Sequence, residues 1–222
     1  GANYISVTDN AEAAGIKING GDGVDNVTLA AVVGSGTGTG AAAWMNLGSG
    51  NDVLTLASGA NFVYITDTDG LITVNGDSGA DNLEFASVLN SGAVLSFGAG
   101  ADVLKLASGA NVLSISDTAA ATGLSVTGSA GADTITFTTV VGTGTGASSG
   151  ELLNMGAGAD VINLASGTNY IYVTDSDTIT INGNSGADTI EFSTGGLASG
   201  TVLALGAGAD VVTLGAGGNT LS

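Results

Sequence analysis

Apolar and polar residues alternate along this chain in short runs of fixed phase. Two and four residues after each of eight aspartates stand apolar side chains, from Val27 and Leu29 after Asp25 to Val212 and Leu214 after Asp210, and the residue between them is always polar. The same alternation follows asparagines (Ile5/Val7, Val63/Ile65, Leu113/Ile115, Ile171/Val173) and recurs at Ile16/Ile18, Ile72/Val74, Met45/Leu47 and Leu95/Phe97 and their later copies. A period of two is the mark of a strand with one face inward and one in water. Strands of about four residues, separated by Gly, Asn, Asp, Ser and Thr, are therefore predicted throughout, with no helix.

The strands belong to a repeat. Asn3, Asn61, Asn111, Asn169 and Asn219 close a recurring phrase at intervals of 58, 50, 58 and 50 residues, which defines four repeats of five strands each. Short strands joined by near-identical turns in fixed phase favour coils that stack on themselves, an all-β parallel β-solenoid of about 20 strands, over a sandwich. With two strands per coil, a five-strand repeat begins on alternate faces, so phase is restored only after a pair of repeats. That accounts for the 108-residue period and for the different lengths of odd and even copies. The chain reads as one domain, 1–222, with repeat pairs 3–110 and 111–218. The Gly/Thr/Ala-rich stretches from Gly34 and Gly142 read as solvated loops, and Trp44, which closes the first, as a residue packed on the coil or at a subunit contact.

Composition narrows the chemistry. The chain has 20 acidic residues, two lysines (Lys17 and Lys105), 39 glycines and no His, Cys or Pro, for a formal net charge of -18. Such a charge opposes binding to nucleic acid or anionic lipid and favours cations. No thiol, disulfide or imidazole chemistry is possible, and the longest apolar runs, 29–33 and 41–45, are far too short to cross a membrane as a helix. The acid pairs Asp67/Asp69 and Asp175/Asp177 carry the residue types of a glycosidase. They repeat in register with the scaffold, however, and lack Arg, Lys or His partners, so no catalysis is expected.

The strings GSGNDVLTL, GAGADVLKL, GAGADVINL and GAGADVVTL, with GGDGVDNVTL at Gly20, resemble the glycine/aspartate nonapeptide of RTX proteins. That resemblance implies a calcium-binding β-roll, with Asp25, Asp52, Asp81, Asp102, Asp133, Asp160, Asp188 and Asp210 as metal residues assisted by main-chain carbonyls. All-oxygen ligands suit Ca²⁺. Here the motifs are not in tandem: each full copy is followed by SGAN or a relative, and GDSGAD, GSAGAD and GNSGAD carry an extra residue. The same aspartates would also serve as plain turn formers, accepting backbone N–H groups. Asn61, Asn111 and Asn169 are expected to form a ladder that satisfies the backbone rather than to bind a ligand.

The resemblance extends to secreted bacterial surface proteins of the S-layer kind. It implies an extracellular structural protein that self-assembles, through end-to-end or lateral contacts between copies, into a filament, sheath or lattice. A cell-surface glycan is a further candidate partner. Asn3 and Asn219 share one phase, so the first and last coils are expected to continue into more sequence or into another copy. The alternatives are the stalk of a large adhesin or viral fibre and, less favoured, a carbohydrate-active β-helix enzyme.

Overall fold

A computed structural model describes residues 1–8, 16–34, 42–117, 123–142, 151–175, 177–193 and 197–219. Most of the two Gly/Thr/Ala-rich stretches lies outside these residues. The described strands number twenty and fall in two sheets of ten, each wholly parallel, and no helix occurs among them.

The odd-numbered strands form the first sheet: β1 (Asn3–Val7), β3 (Asp25–Leu29), β5 (Asp52–Thr55), β7 (Ile72–Asn75), β9 (Ala93–Phe97), β11 (Val112–Asp117), β13 (Thr134–Phe137), β15 (Ala159–Asn163), β17 (Thr178–Asn182) and β19 (Val202–Ala204). The even-numbered strands form the second: β2 (Lys17–Asp22), β4 (Ala43–Ser49), β6 (Phe62–Asp67), β8 (Asn82–Phe85), β10 (Val103–Lys105), β12 (Ser125–Ala130), β14 (Glu151–Ala157), β16 (Tyr170–Val173), β18 (Thr189–Phe192) and β20 (Val211–Thr213). The chain thus alternates between two sheets, one strand in each per coil, and builds the expected β-solenoid. Because five is odd, the Asn-led strand of each repeat changes sheet: Asn3 and Asn111 enter the first, Asn61 and Asn169 the second.

The core is the slot between the sheets. Inward residues stack on their counterparts one rung away, as in Val27↔Leu54↔Val74↔Leu95↔Ile115 on the first sheet and Ile65↔Phe85 on the second. Leu54, Ile65, Leu95, Leu104, Ile115, Val126, Ile162 and Ile181 are completely buried. Each strand supplies only two or three such side chains, so no layer has a core of its own. Stability comes from contact with the rungs on either side, and the loss of one inward side chain is felt by both neighbours.

Truncation inside the slot should therefore be costly. Leu104→Ala is expected to lose about 2–5 kcal/mol of unfolding free energy. The outward Thr73→Ala on β7 is expected to change it by roughly 0.5 kcal/mol or less. Urea denaturation followed by circular dichroism measures both.

Candidate calcium turns

The Gly-Asp turns join one sheet to the other and stack on both edges of the roll. Gly23 N donates to Ser49 O, Gly79 N to Ala99 O, Gly131 N to Ala157 O and Gly186 N to Ala207 O, so each turn lies parallel to its neighbour one rung on. Such close stacking of main chain leaves no room for side chains at some positions. Gly48 (φ +93°) and Gly156 (φ +86°) stand in the left-handed region, and a Cβ on either would fall onto the backbone of the preceding turn, at Gly21 and Ser129.

Within a stack the predicted residues form strings of three. Asn61 donates both its main-chain N–H (2.9 Å) and its Nδ2 (2.8 Å) to Asp81 Oδ1, and Asp81 N donates to Asp102 Oδ1 (2.8 Å). Asn111–Asp133–Asp160 repeats the pattern at 2.9, 2.8 and 2.8 Å, and Asn169–Asp188–Asp210 at 3.0, 2.8 and 3.0 Å. Asn3–Asp25–Asp52 is the first string. The structure thus brings the eight aspartates together in four pairs on alternating edges. Motifs separated by SGAN in sequence lie on opposite edges, and the turns that stack are those two strands apart. The extra residue of GDSGAD and its relatives is accommodated within the stack.

The asparagine ladder is as expected. Asn61 Nδ2 also donates to Ala57 O and Gly59 O of its own turn, and its Oδ1 accepts from Val33 N (3.2 Å). Leu89, Val141 and Leu197 play the part of Val33 for Asn111, Asn169 and Asn219. The acid pairs also fix turns. Asp67 Oδ1 accepts from Asp69 N and Gly70 N, Asp69 Oδ2 accepts from Gly50 N one rung away, and Asp175 Oδ1 accepts from Asp177 N. Trp44 lies on the outer face of β4, edge-on to Tyr64 at 5.8 Å and beneath the Lys17 ammonium at 4.9 Å.

The motif carboxylates have one satisfied oxygen each. While Oδ1 accepts the ladder bonds, Oδ2 of Asp25, Asp52, Asp102, Asp133, Asp160 and Asp188 is buried and has no hydrogen-bond donor. Where it points is informative. At Gly20, Gly76, Gly128 and Gly183, the point where a Cβ would stand lies within 3.2 Å of Oδ2 of the same turn's Asp and within 3.0 Å of a carbonyl oxygen of the adjoining rung: Leu47, Ser96, Met155 and Leu205 respectively. A carboxylate oxygen and a carbonyl oxygen thus flank the same small space at each of these glycines, and on Asp25, Asp133 and Asp188 that carboxylate oxygen is buried without a donor. Such an arrangement is unfavourable unless a proton or a cation lies between the oxygens.

This supply of oxygen suits a hard divalent cation, and no softer ligand competes with it. Among the described residues no three acidic side chains gather closely enough to hold a metal by themselves. Any ion must therefore take single carboxylate oxygens together with main-chain carbonyls. Burial pushes Asp102 and Asp160 up to about 6, with the neighbouring carboxylates Asp81 and Asp133 adding to the effect and ladder N–H bonds opposing it. Asp52 and Asp81 are raised from the same primary cause.

One acid was missed in the sequence. Glu151 opens β14 almost fully buried, with Oε1 accepting from Gly142 N and Oε2 without a partner. Burial, helped by the charge of Asp117, pushes it up to about 8, so it is mostly neutral at pH 7. The available signal was that its counterpart one repeat pair earlier is Ala43, an inward core residue.

A parallel roll of two sheets whose edges are stacked Gly-Asp turns defines a repeat protein of the β-roll class. The model of the RTX calcium-binding nonapeptide repeat matches in four copies, over residues 37–64, 180–196 and 202–221. These segments of the chain carry RTX-type repeats, and the nonapeptide of that repeat is a calcium-binding motif. The matched segments include Asp52, Asp188 and Asp210, while the equivalent turns ending at Asp25, Asp81, Asp102, Asp133 and Asp160 lie outside them. Comparison with curated proteins and with solved structures gives no match.

Two predictions follow from this geometry. Gly156→Ala forces a left-handed alanine into a neighbouring backbone and should cost roughly 2–5 kcal/mol in thermal or urea unfolding. For pH, the folded values of Asp102, Asp160 and Glu151 lie above those of the unfolded chain, 3.8 and 4.5. The folded state therefore holds more protons between about pH 4 and 8, and its stability falls as pH rises through that window. In chelator, the melting temperature should rise as pH is lowered from 8 to 5.

Proposed function

We propose that the protein is a secreted structural module whose roll is stiffened by calcium at the paired Gly-Asp turns and which assembles with copies of itself into an extended surface structure. The observation that carries the calcium part is the set of buried Oδ2 atoms without a donor, of which those of Asp25, Asp133 and Asp188 flank the same space as a main-chain carbonyl of the adjoining rung. A cation shared with the adjoining rung would supply the partner that these buried oxygens lack. Calcium secreted into, or already present in, an extracellular medium would take that place and couple successive rungs. The RTX repeat supports the secreted reading, since proteins with this repeat are generally exported. All eight aspartates are proposed ligands, two per stacked pair of turns.

For assembly, the support is the regularity of the roll. Every rung presents the same parallel main-chain edge to the next, so a rung from a second copy can pair with an end rung as any internal one does. The charge of -18 opposes such contact, and calcium on the turns lowers that barrier.

Asp160→Asn separates the metal role from the turn role, because the amide still accepts from Asp133 N while no longer presenting a buried charge. In chelator at pH 7 the variant should be as stable as the parent or more so. In 10 mM Ca²⁺ it should gain less than the parent, which at a free concentration 100 times the dissociation constant gains about 2.7 kcal/mol per site. Thermal unfolding in the two buffers, with calorimetric titration of Ca²⁺, reads both effects. A parent protein whose melting temperature and heat of mixing do not respond to millimolar Ca²⁺ would remove the metal from the function.

A further inference from the structure

The two sheets of the roll differ outside as sharply as they agree inside. The second sheet carries both lysines, the outward acids Glu84 and Glu191, and Trp44 with Tyr64. Glu84 pairs with Lys105 at 2.9 Å, and Glu191 accepts from the Tyr170 hydroxyl at 2.7 Å. The first sheet has no outward charge on any of its ten strands. Its four acids, Asp25, Asp52, Asp117 and Asp160, are buried, and between them the outer face presents only uncharged residues. Thr73, Val94, Ser114, Thr136, Asn163 and Asn182 follow one another rung by rung in a single column.

This face also has a low demand for water. Asn182 Nδ2 donates to Asn163 Oδ1 (2.8 Å), Asn163 Nδ2 donates to Thr136 Oγ1 (3.1 Å), and Ser116 Oγ donates to Ser96 Oγ (2.9 Å). Polar side chains that already bond to one another up the column lose less on desolvation than free ones. Valines stand among them, Val94 at 40% and Val202 at 47% exposure.

We infer that the outer face of the first sheet is a homotypic interface, and that its occupant is the same face of a second copy of this chain. Charge selects the partner. Two molecules of net charge -18 repel over most of their surfaces, and this is the broad face on which they can meet without bringing like charges together. Geometry permits it, because both copies repeat at the same rung spacing, so columns of Thr, Asn and Val on one can lie between those on the other over the whole length. Area suffices: ten rungs at about 4.8 Å and strands of about 15 Å width give roughly 650 Å² per copy, or about 1,300 Å² in total, within the range of specific interfaces. The contact makes the assembly part of the proposed function specific while standing apart from its calcium part. It thickens the particle, whereas rung-on-rung pairing lengthens it.

The chain has no cysteine, so single cysteines report cleanly. Val94 lies on the fifth of ten rungs, so it faces its own counterpart when the two copies run parallel and lies one rung from it when they run antiparallel. Leu152 on β14, of similar exposure on the other sheet, is the control. Under mild oxidation Val94→Cys should form a disulfide-linked dimer at least ten times faster than Leu152→Cys. In small-angle scattering and sedimentation the parent should show a doubled cross-section at 10–200 µM. Val94→Glu should raise the dissociation constant about 30-fold or more, with an unchanged circular dichroism spectrum, and Leu152→Glu should leave it unaltered. A parent with a single-roll cross-section at 200 µM, or equal cross-linking at the two positions, overturns the inference. Particles that lengthen in calcium without thickening do so too, while leaving the proposed function in place.

Discussion

The structure depends on a carboxylate buried between stacked turns. A two-sheet roll needs a sharp reversal after every strand, and each reversal brings main-chain groups of one rung against those of the next with little water between. Aspartate solves half of that problem: Oδ1 of Asp81 collects both donors of Asn61, and Asp102 collects the N–H of Asp81. The other half it creates, because the second oxygen is buried with nothing to bond. The turn that makes the fold possible therefore makes the fold sensitive to whatever neutralises that oxygen, a proton in acid or a cation in a calcium-rich medium.

This dual character explains why turn former and metal ligand are not competing descriptions of the same residue. One oxygen does the first task and the other is left for the second. An amide keeps the former and loses the latter, whereas removing the glycine opposite damages both by pressing a Cβ into the space where the oxygens converge. The order of the turns also explains why the motif aspartates come in pairs rather than in a continuous row. On each edge the Asn-led turn, two Gly-Asp turns and two unrelated turns follow in order, so a Gly-Asp turn has a like neighbour only once in five rungs.

Much of this was legible in the sequence, for a simple reason. Inward pairs such as Leu54/Leu56 and Ile135/Phe137 repeat at a period only a strand can use, and an odd number of strands per repeat requires alternate copies to begin on opposite sheets. What was not legible depends on neighbours that are distant in the chain. The partner of Asn61 is 20 residues away and reads as an unrelated motif. Glu151 follows a Gly/Ser stretch and looks like a solvated acid until the register places it in the slot. Lys17, Trp44, Tyr64, Glu84 and Lys105 are scattered over five strands in sequence and form one column in space.

Segregation of charge to one sheet runs against the same odd–even rule. Because a given strand of the repeat changes sheet in the next repeat, a residue type tied to the motif alone would appear on both faces. Thr28 and Thr55 in the first repeat stand where Glu84 and Lys105 stand in the second, each in the outward position between the two inward residues that follow a motif aspartate. The first pair falls on the first sheet and the second on the other. The third and fourth repeats make the same choice with Thr136 and Asn163 against Glu191 and Thr213. Folding of the motif requires only that this position be polar, so turn chemistry does not account for keeping charge off one sheet through two repeat pairs. The contact inferred for that sheet would account for it.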